Sequence, residues 1–334
     1  MDALCRELEQ RSHEATGKVR TLYVGGGTPT ILTIDQIGQI VDAVRSNYDI
    51  AELEEATIEA NPEDLTREYL QGLRGLGFFN RISIGVQSLR DEDLRLLNRR
   101  HSAKQAIDAV EASYDAGYTN ISVDLIYGIP GLTEDAWRAN LEHVGMLPVS
   151  HFSAYALTVE EGTILSRQIE TGRVPAMDED TMLRHYEILT EWAASKGLEH
   201  YEVSNFCRSG FRSKHNSRYW DRTPYVGVGA SAHSFDGLHR RWNVSDVAQY
   251  VERMNKGDVY YDGETLSAAD ACNEYVMTAL RTSDGIEKAK ASSLDADKMQ
   301  GFVEAGWVEE TDTHWRPTKQ GLLHADGMAA ELFV

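Results

Sequence analysis

Thr21-Leu22-Tyr23-Val24-Gly25-Gly26-Gly27-Thr28-Pro29-Thr30 is a short β-rich run that breaks into three consecutive glycines. Glycines directly after a strand let the backbone turn sharply and approach a ligand closely, presenting N–H and C=O groups. Taken alone, the run serves equally well as a tight turn. Its second and third glycines are wrongly placed for the dinucleotide-binding fingerprint. An amphipathic pattern follows at Thr33–Ser46, and the same order of apolar run then helical pattern repeats down the chain. Further strands are expected at Ala56–Ala60, Arg81–Val86, Ile121–Tyr127, His151–Leu157 and His200–Phe206. Helices are expected at Thr66–Leu76, Asp91–Asn98, Ala103–Ala116, Glu134–Met146 and Asp178–Lys196, with Thr133 and Asp178 as start signals. This alternation predicts βαβ units and a parallel sheet, with strands apolar enough to be covered on both faces.

In parallel barrels and sheets, ligands sit at the carboxyl ends of the strands. There the sequence places Glu59-Ala60-Asn61-Pro62, whose carboxylate suits a hydroxyl or an amine, although Asn-Pro also punctuates an ordinary turn. The next strand ends in Gly85-Val86-Gln87-Ser88. Leu97-Asn98-Arg99-Arg100-His101 closes a helix, where cations also suit the helix dipole. Asp124 lies within the apolar run Val123-Asp124-Leu125-Ile126-Tyr127-Gly128-Ile129-Pro130-Gly131. A buried carboxylate is costly without partners, which favours a functional role.

The order and spacing of these motifs resemble the radical S-adenosylmethionine enzymes. Within them they are similar to the branch of oxygen-independent coproporphyrinogen III oxidases and their HemW heme-chaperone relatives, along essentially the whole chain. The resemblance implies an incomplete parallel (β/α)6-type barrel with a small winged-helix-like C-terminal module. It implies that Gly26, Gly27, Thr28 and Pro29, with Gly25 adjoining, hold the methionyl amino group of S-adenosylmethionine. Glu59, Gln87, Arg99 and Asp124 fall on the family's other cofactor-mouth positions, and Ala156 on the adenosine side. The chemistry agrees: an amine wants carbonyls and a carboxylate, a carboxylate wants an Arg fork, and ribose hydroxyls want Asp or Gln. Lys214-His215-Asn216-Ser217-Arg218-Tyr219-Trp220 matches the His-Asn-x-x-Tyr-Trp signature of the HemW group. It offers His215 to heme iron and Tyr219 and Trp220 to a porphyrin face, or else ties the barrel to the tail as a structural loop. His233 is the poorer second candidate.

The family's radical chemistry needs a Cys-x-x-x-Cys-x-x-Cys loop that holds a [4Fe–4S] cluster. Cys5, Cys207 and Cys272 are scattered and form no such loop, so no metal ligand is assigned. The opening helix Met1–Arg11 resembles the family helix that follows the cluster loop. The expectation is therefore a barrel short of its first strand and a polypeptide that cannot assemble the cluster.

The remaining sequence bounds partners and organisation. The 334 residues carry 33 Lys plus Arg against 53 Asp plus Glu, a formal charge of −20, which excludes a general nucleic-acid binder. No apolar run approaches the roughly 20 residues of a membrane span, and the chain reads as cytoplasmic. The division expected is a partial barrel over 1–206, a connecting region over 207–257, and the winged-helix-like module over 258–334. In the connecting region, Cys207–Asp236 reads as a long loop. The module shows helical patterns at Ala268–Leu280 and Asp295–Ala305, then a wing from Trp307–Glu310 and His314–Pro317. It holds 15 Asp plus Glu against 6 Lys plus Arg, which argues against DNA reading. The function expected is heme binding and delivery to heme-receiving apoproteins. The alternatives are the oxidase, which abstracts hydrogen from propionate side chains before decarboxylation, and a cluster-free module keeping only heme affinity. Whether the chain is an enzyme stays open.

Overall fold

The computed structural model describes residues 1–176, 178–291 and 294–334. Its main sheet has seven strands: β1 (Thr21–Val24), β2 (Glu55–Ala60), β3 (Arg81–Gln87), β4 (Asn120–Tyr127), β5 (His151–Ala156), β6 (Glu199–Glu202) and β7 (Asn205–Cys207), in the spatial order β1-β2-β3-β4-β5-β7-β6. The first five are parallel neighbours in sequence order. With helices between them, they build the expected open, incomplete barrel. The run His200–Phe206 is not one further parallel strand. It is a hairpin whose arm β7 pairs antiparallel with both β5 and β6.

The strands also alternate more than expected. Ala56, Ile58, Ile82, Ile84, Val86, Ile121, Val123, Leu125, Phe152 and Ala154 join the core beneath the helices. The opposite parity carries Thr21, Tyr23, Glu55, Thr57, Glu59, Arg81, Ser83, Gln87, Ser122, Asp124, His151 and Ser153. Only one face is covered by helices, so the other is free to be polar. Buried Ile37 and Val41 of the helix Ile34–Asn47 and Leu70 and Leu73 of the helix Arg67–Gly75 close the outer face, each stabilising by about 1.5–3 kcal/mol. Thr33 and Ser102 start their helices with capping boxes, and Thr133 and Asp178 each accept a backbone N–H as read from the sequence.

Cys207–Asp236 is less irregular than expected. It contains a helix, Lys214–Trp220, and a strand, His233–Phe235, that joins His239–Asn243 and Tyr261–Thr265 in a three-stranded antiparallel sheet. These strands are short and largely polar, and long-range pairing supplies what local pattern does not. The tail has its own core of Val276, Leu280, Ile286, Met299, Phe302 and Met328. Val308–Glu310 and His314–Pro317 form the antiparallel wing, and Ile286–Glu287 adds a third strand. The opening helix Asp2–Gln10 packs Leu8 against Ile40 and Val44. Its buried Glu7 accepts hydrogen bonds from Gly229 N, Asn243 and Tyr250, fastening the helix to the small sheet. Among the described residues, no helix is long and apolar enough to cross a membrane.

Candidate functional site

At the carboxyl end of β1, Glu59 organises the glycine loop. Its carboxylate accepts from the Tyr23 hydroxyl at 2.6 Å and from Gly26 N–H at 3.1 Å. A Cβ on Gly25 would lie 2.5 Å from the Tyr23 ring and 2.7 Å from the Glu59 carboxyl carbon, so only glycine fits. Gly26 has φ +80°, a conformation that costs other residues strain. Asn61 donates to the Thr28 hydroxyl at 3.2 Å, and Pro29 is buried behind it. On β3, Gln87 has φ 67° and Ser88 N–H bonds the Val86 carbonyl at 2.8 Å. This is a strained γ-turn of the kind that clusters at functional sites. The Gln87 side chain lies over Gly85, where a Cβ would meet its Nε2 at 2.9 Å.

Asp124 stands on the inner face of β4, and loss of hydration pushes its carboxyl up to about 6. A hydrogen bond from Ser153 and the charges of Arg81 and Arg99 oppose that rise, while Glu59 adds to it. Arg99 is exposed, following Asn98 at φ 53°, where its N–H bonds the Leu94 carbonyl and closes the helix. Glu59, Asp124 and Arg99 are thus close enough to act electrostatically at one mouth. Ala156 is exposed at the end of β5.

The inner face holds two residues that the sequence reading missed. Arg81 is buried, 1% exposed, and its Nε is unpartnered. It lies 3.5 Å from His151 Nδ1, and His151 in turn contacts the Ser122 hydroxyl at 2.7 Å and the Tyr201 hydroxyl at 2.7 Å. Glu55 is also buried and caps the helix Lys214–Trp220, accepting from Lys214 N–H at 3.0 Å and His215 N–H at 2.9 Å. The available signal was charge at the inward parity of β2 and β3.

That capped helix lies against β1. His215 stacks on Tyr23 with centroids 5.0 Å apart. Its Nδ1 is 2.9 Å from the Thr21 hydroxyl and its Nε2 is 3.2 Å from the Tyr219 hydroxyl. Burial, then the field of Arg81, pulls the imidazole down to about 4. Asn216, Tyr219 and Trp220 line a cavity of about 710 Å³ with Tyr127, Tyr155 and Ala156 of the barrel and Arg281 and Leu323 of the tail. That volume lies within the ~300–1,000 Å³ of small-molecule sites. His215 is not on this wall. His233 is elsewhere, lining a second cavity of about 540 Å³ with Trp242.

Residues 2–144 match the model of the radical SAM superfamily. Heme chaperone HemW of Mycobacterium tuberculosis strain CDC 1551 is 33% identical over 315 residues, covering 94% of this chain and 80% of the relative. The chain belongs to the HemW family of radical SAM proteins. Heme chaperone HemW of Bacillus subtilis is 31% identical over 97% of this chain and 89% of its own length. The solved structure of Escherichia coli coproporphyrinogen III oxidase (HemN) superposes with a TM-score of 0.83. At 23% identity, covering 100% of this chain and 82% of that one, it establishes the fold alone.

The superfamily implies S-adenosylmethionine and a [4Fe–4S] cluster. The radical SAM mouth of this chain fits the first. A carboxylate holds the glycine loop, nothing lies within 4 Å of a Cβ built on Gly26 or Gly27, and an arginine and a second carboxyl stand near. Its cysteines do not fit the second. Cys5 Sγ faces the Gln39 carbonyl at 3.9 Å, while Cys207 lies beside Glu199 with its thiol pushed up to about 12 by burial. Cys272 sits in the separate helix Ala268–Leu280. Among the described residues, no three His, Cys, Asp or Glu are grouped to hold a metal ion.

Proposed function

We propose that this protein binds heme in the 710 Å³ cavity and delivers it to heme-receiving apoproteins in the cytoplasm, as a heme chaperone. The observation that carries the reading is that the His-Asn-x-x-Tyr-Trp segment contributes Asn216, Tyr219 and Trp220 to that cavity. Much of its other lining is aromatic and aliphatic, as a porphyrin face requires, and its cation, Arg281, is paired with Asp326 at 2.6 Å. Residues 258–334 act as a packing module that closes one wall.

S-adenosylmethionine is the ligand proposed for the strand-end mouth. Gly25, Gly26, Gly27, Thr28 and Pro29 hold its amino group with Glu59, and Arg99 takes its carboxylate. Gln87 and Asp124 take hydroxyls, and Ala156 lies on the adenosine side. When bound, that molecule supplies a sulfonium and an adenosyl group. The chain's own residues orient it.

The test is hemin titration of the full chain followed by absorbance, then mixing with apomyoglobin. Stoichiometric binding and transfer are expected, and no spectral change on titration rules the reading out. Protoporphyrinogen formation from coproporphyrinogen III would favour the oxidase instead.

A further inference from the structure

We infer that His215 is a positioning residue for the strand-end mouth, holding Tyr23 so that Glu59 keeps its carboxylate on the glycine loop; this rests on that mouth being the S-adenosylmethionine site. The contacts run without a gap. One Glu59 oxygen accepts from the Tyr23 hydroxyl at 2.6 Å and the other from Gly26 N–H at 3.1 Å. A carboxylate offers about four lone-pair sites, so about two remain for an incoming ammonium. Burial and the charge of Glu59 push the Tyr23 phenol up, so it stays the donor. Where that hydroxyl stands therefore fixes how Glu59 presents its free lone pairs. Tyr23 lies on β1, which ends the sheet and has β2 as its neighbour there. Gly25 meets one edge of the Tyr23 ring, where a Cβ would lie 2.5 Å from Cε1. His215 covers a face of that ring, with centroids 5.0 Å apart and planes inclined at 23°.

The imidazole is itself held at three points. Nδ1 lies 2.9 Å from the Thr21 hydroxyl, Nε2 lies 3.2 Å from the Tyr219 hydroxyl, and the backbone N–H donates to Glu55 at 2.9 Å. Each hydroxyl can donate or accept, so the one N–H and one lone pair of a neutral imidazole are both satisfied. Burial and then the field of Arg81 pull the ring down to about 4, which keeps it neutral at pH 7. Neutrality suits the role, because a cation stacked on the phenol would compete with the ligand's ammonium for Glu59. One helix thereby serves two sites: His215 braces the mouth, while Tyr219 and Trp220 line the cavity.

S-adenosylmethionine is titrated calorimetrically into the full chain and into Y23F, H215A, H215F and the double variant Y23F/H215A. Amide hydrogen exchange at residues 25–28 is followed in the ligand-free proteins. H215A and Y23F are each expected to bind about tenfold more weakly and to exchange faster at those amides. The double variant is expected to lose no more than Y23F alone, because His215 acts through the Tyr23 hydroxyl; a role confined to folding gives additive losses. H215F keeps a flat face against Tyr23 and is expected to bind within about threefold of wild type. Three results overturn the inference while leaving the mouth its ligand: H215A that binds and exchanges as wild type does, additive losses, or H215F no better than H215A. Failure of wild type to bind S-adenosylmethionine instead overturns the reading of the mouth beneath it.

Discussion

Gly25 and Gly26 adjoin in sequence but are glycines for different reasons. At Gly25 the backbone is ordinary, and the obstacle is steric: a Cβ would meet Tyr23 and Glu59 well inside contact distance. At Gly26 nothing lies within 4 Å of an added Cβ, and the obstacle is φ +80°. Gly25→Ala should therefore cost about 1–3 kcal/mol by urea unfolding, as overpacking does, and displace the Glu59 carboxylate from the Gly26 N–H. Gly26→Ala should cost about 1 kcal/mol and leave the Tyr23–Glu59 hydrogen bond in place. Equal losses for the two variants, with Glu59 unmoved in both, would refute the distinction. The glycine run was legible in sequence only through its order and spacing with the other strand-end motifs, since alone it serves equally well as a tight turn. Which glycine answers a clash was not legible, because it depends on where the Tyr23 ring and the Glu59 carboxylate of the neighbouring strand meet.

Among the elements, the helix Lys214–Trp220 depends on a cap from elsewhere in the fold. Ser213 accepts from Asn216 N–H, and the remaining first-turn donors are taken by Glu55, buried on β2. A carboxylate there satisfies orphan N–H groups and also meets the positive end of the helix dipole. Glu55→Gln keeps the shape but removes the charge, and is expected to cost about 2 kcal/mol in denaturant unfolding. It should weaken hemin binding in the same variant, since Tyr219 and Trp220 are carried by that helix. Unchanged stability and unchanged hemin affinity would refute the cap's importance. The five parallel strands and their helices were readable because each carries a period or a capping residue of its own. The hairpin Glu199–Cys207 was not, since no Gly or Pro marks its turn. Its two arms are joined by Val203-Ser204, and Glu202 closes the turn by accepting from Ser204 N–H and the Asn205 amide. Burial of that carboxyl pushes it up to about 7, a property that a sequence pattern does not display.

At the scale of the whole molecule, the open barrel is a polar concave face backed by an apolar convex one. The strand-end motifs were visible because each is local in sequence, whereas the floor beneath them is assembled from Glu55, Arg81, His151 and Tyr201, none of which has meaning alone. Buried titratable groups, His151 of that floor among them, set the response of the fold to acid. His151 and His185 are lowered, and His200 and His215 are each pulled down to about 4, burial being the first cause throughout. Each binds a proton more readily unfolded than folded, so its contribution is fully present above about pH 6.5 and is lost on acidification, for His200 and His215 as pH falls through about 4. Asp93, Asp124 and Glu202 act in the opposite sense. Burial raises all three, Asp124 to about 6 and Glu202 to about 7, so their ionisation removes stability as pH rises. Four imidazoles outweigh three carboxyls, and the unfolding midpoint should fall as pH is lowered from 6.5 to 4.5. Glu202→Gln removes one opposing slope and should make that fall steeper, while raising the midpoint of the variant above wild type at pH 8. Thermal unfolding across that range, for wild type and the variant in parallel, checks both expectations. A midpoint that rises on acidification would mean that the buried carboxyls, not the histidines, govern the acid response of the fold.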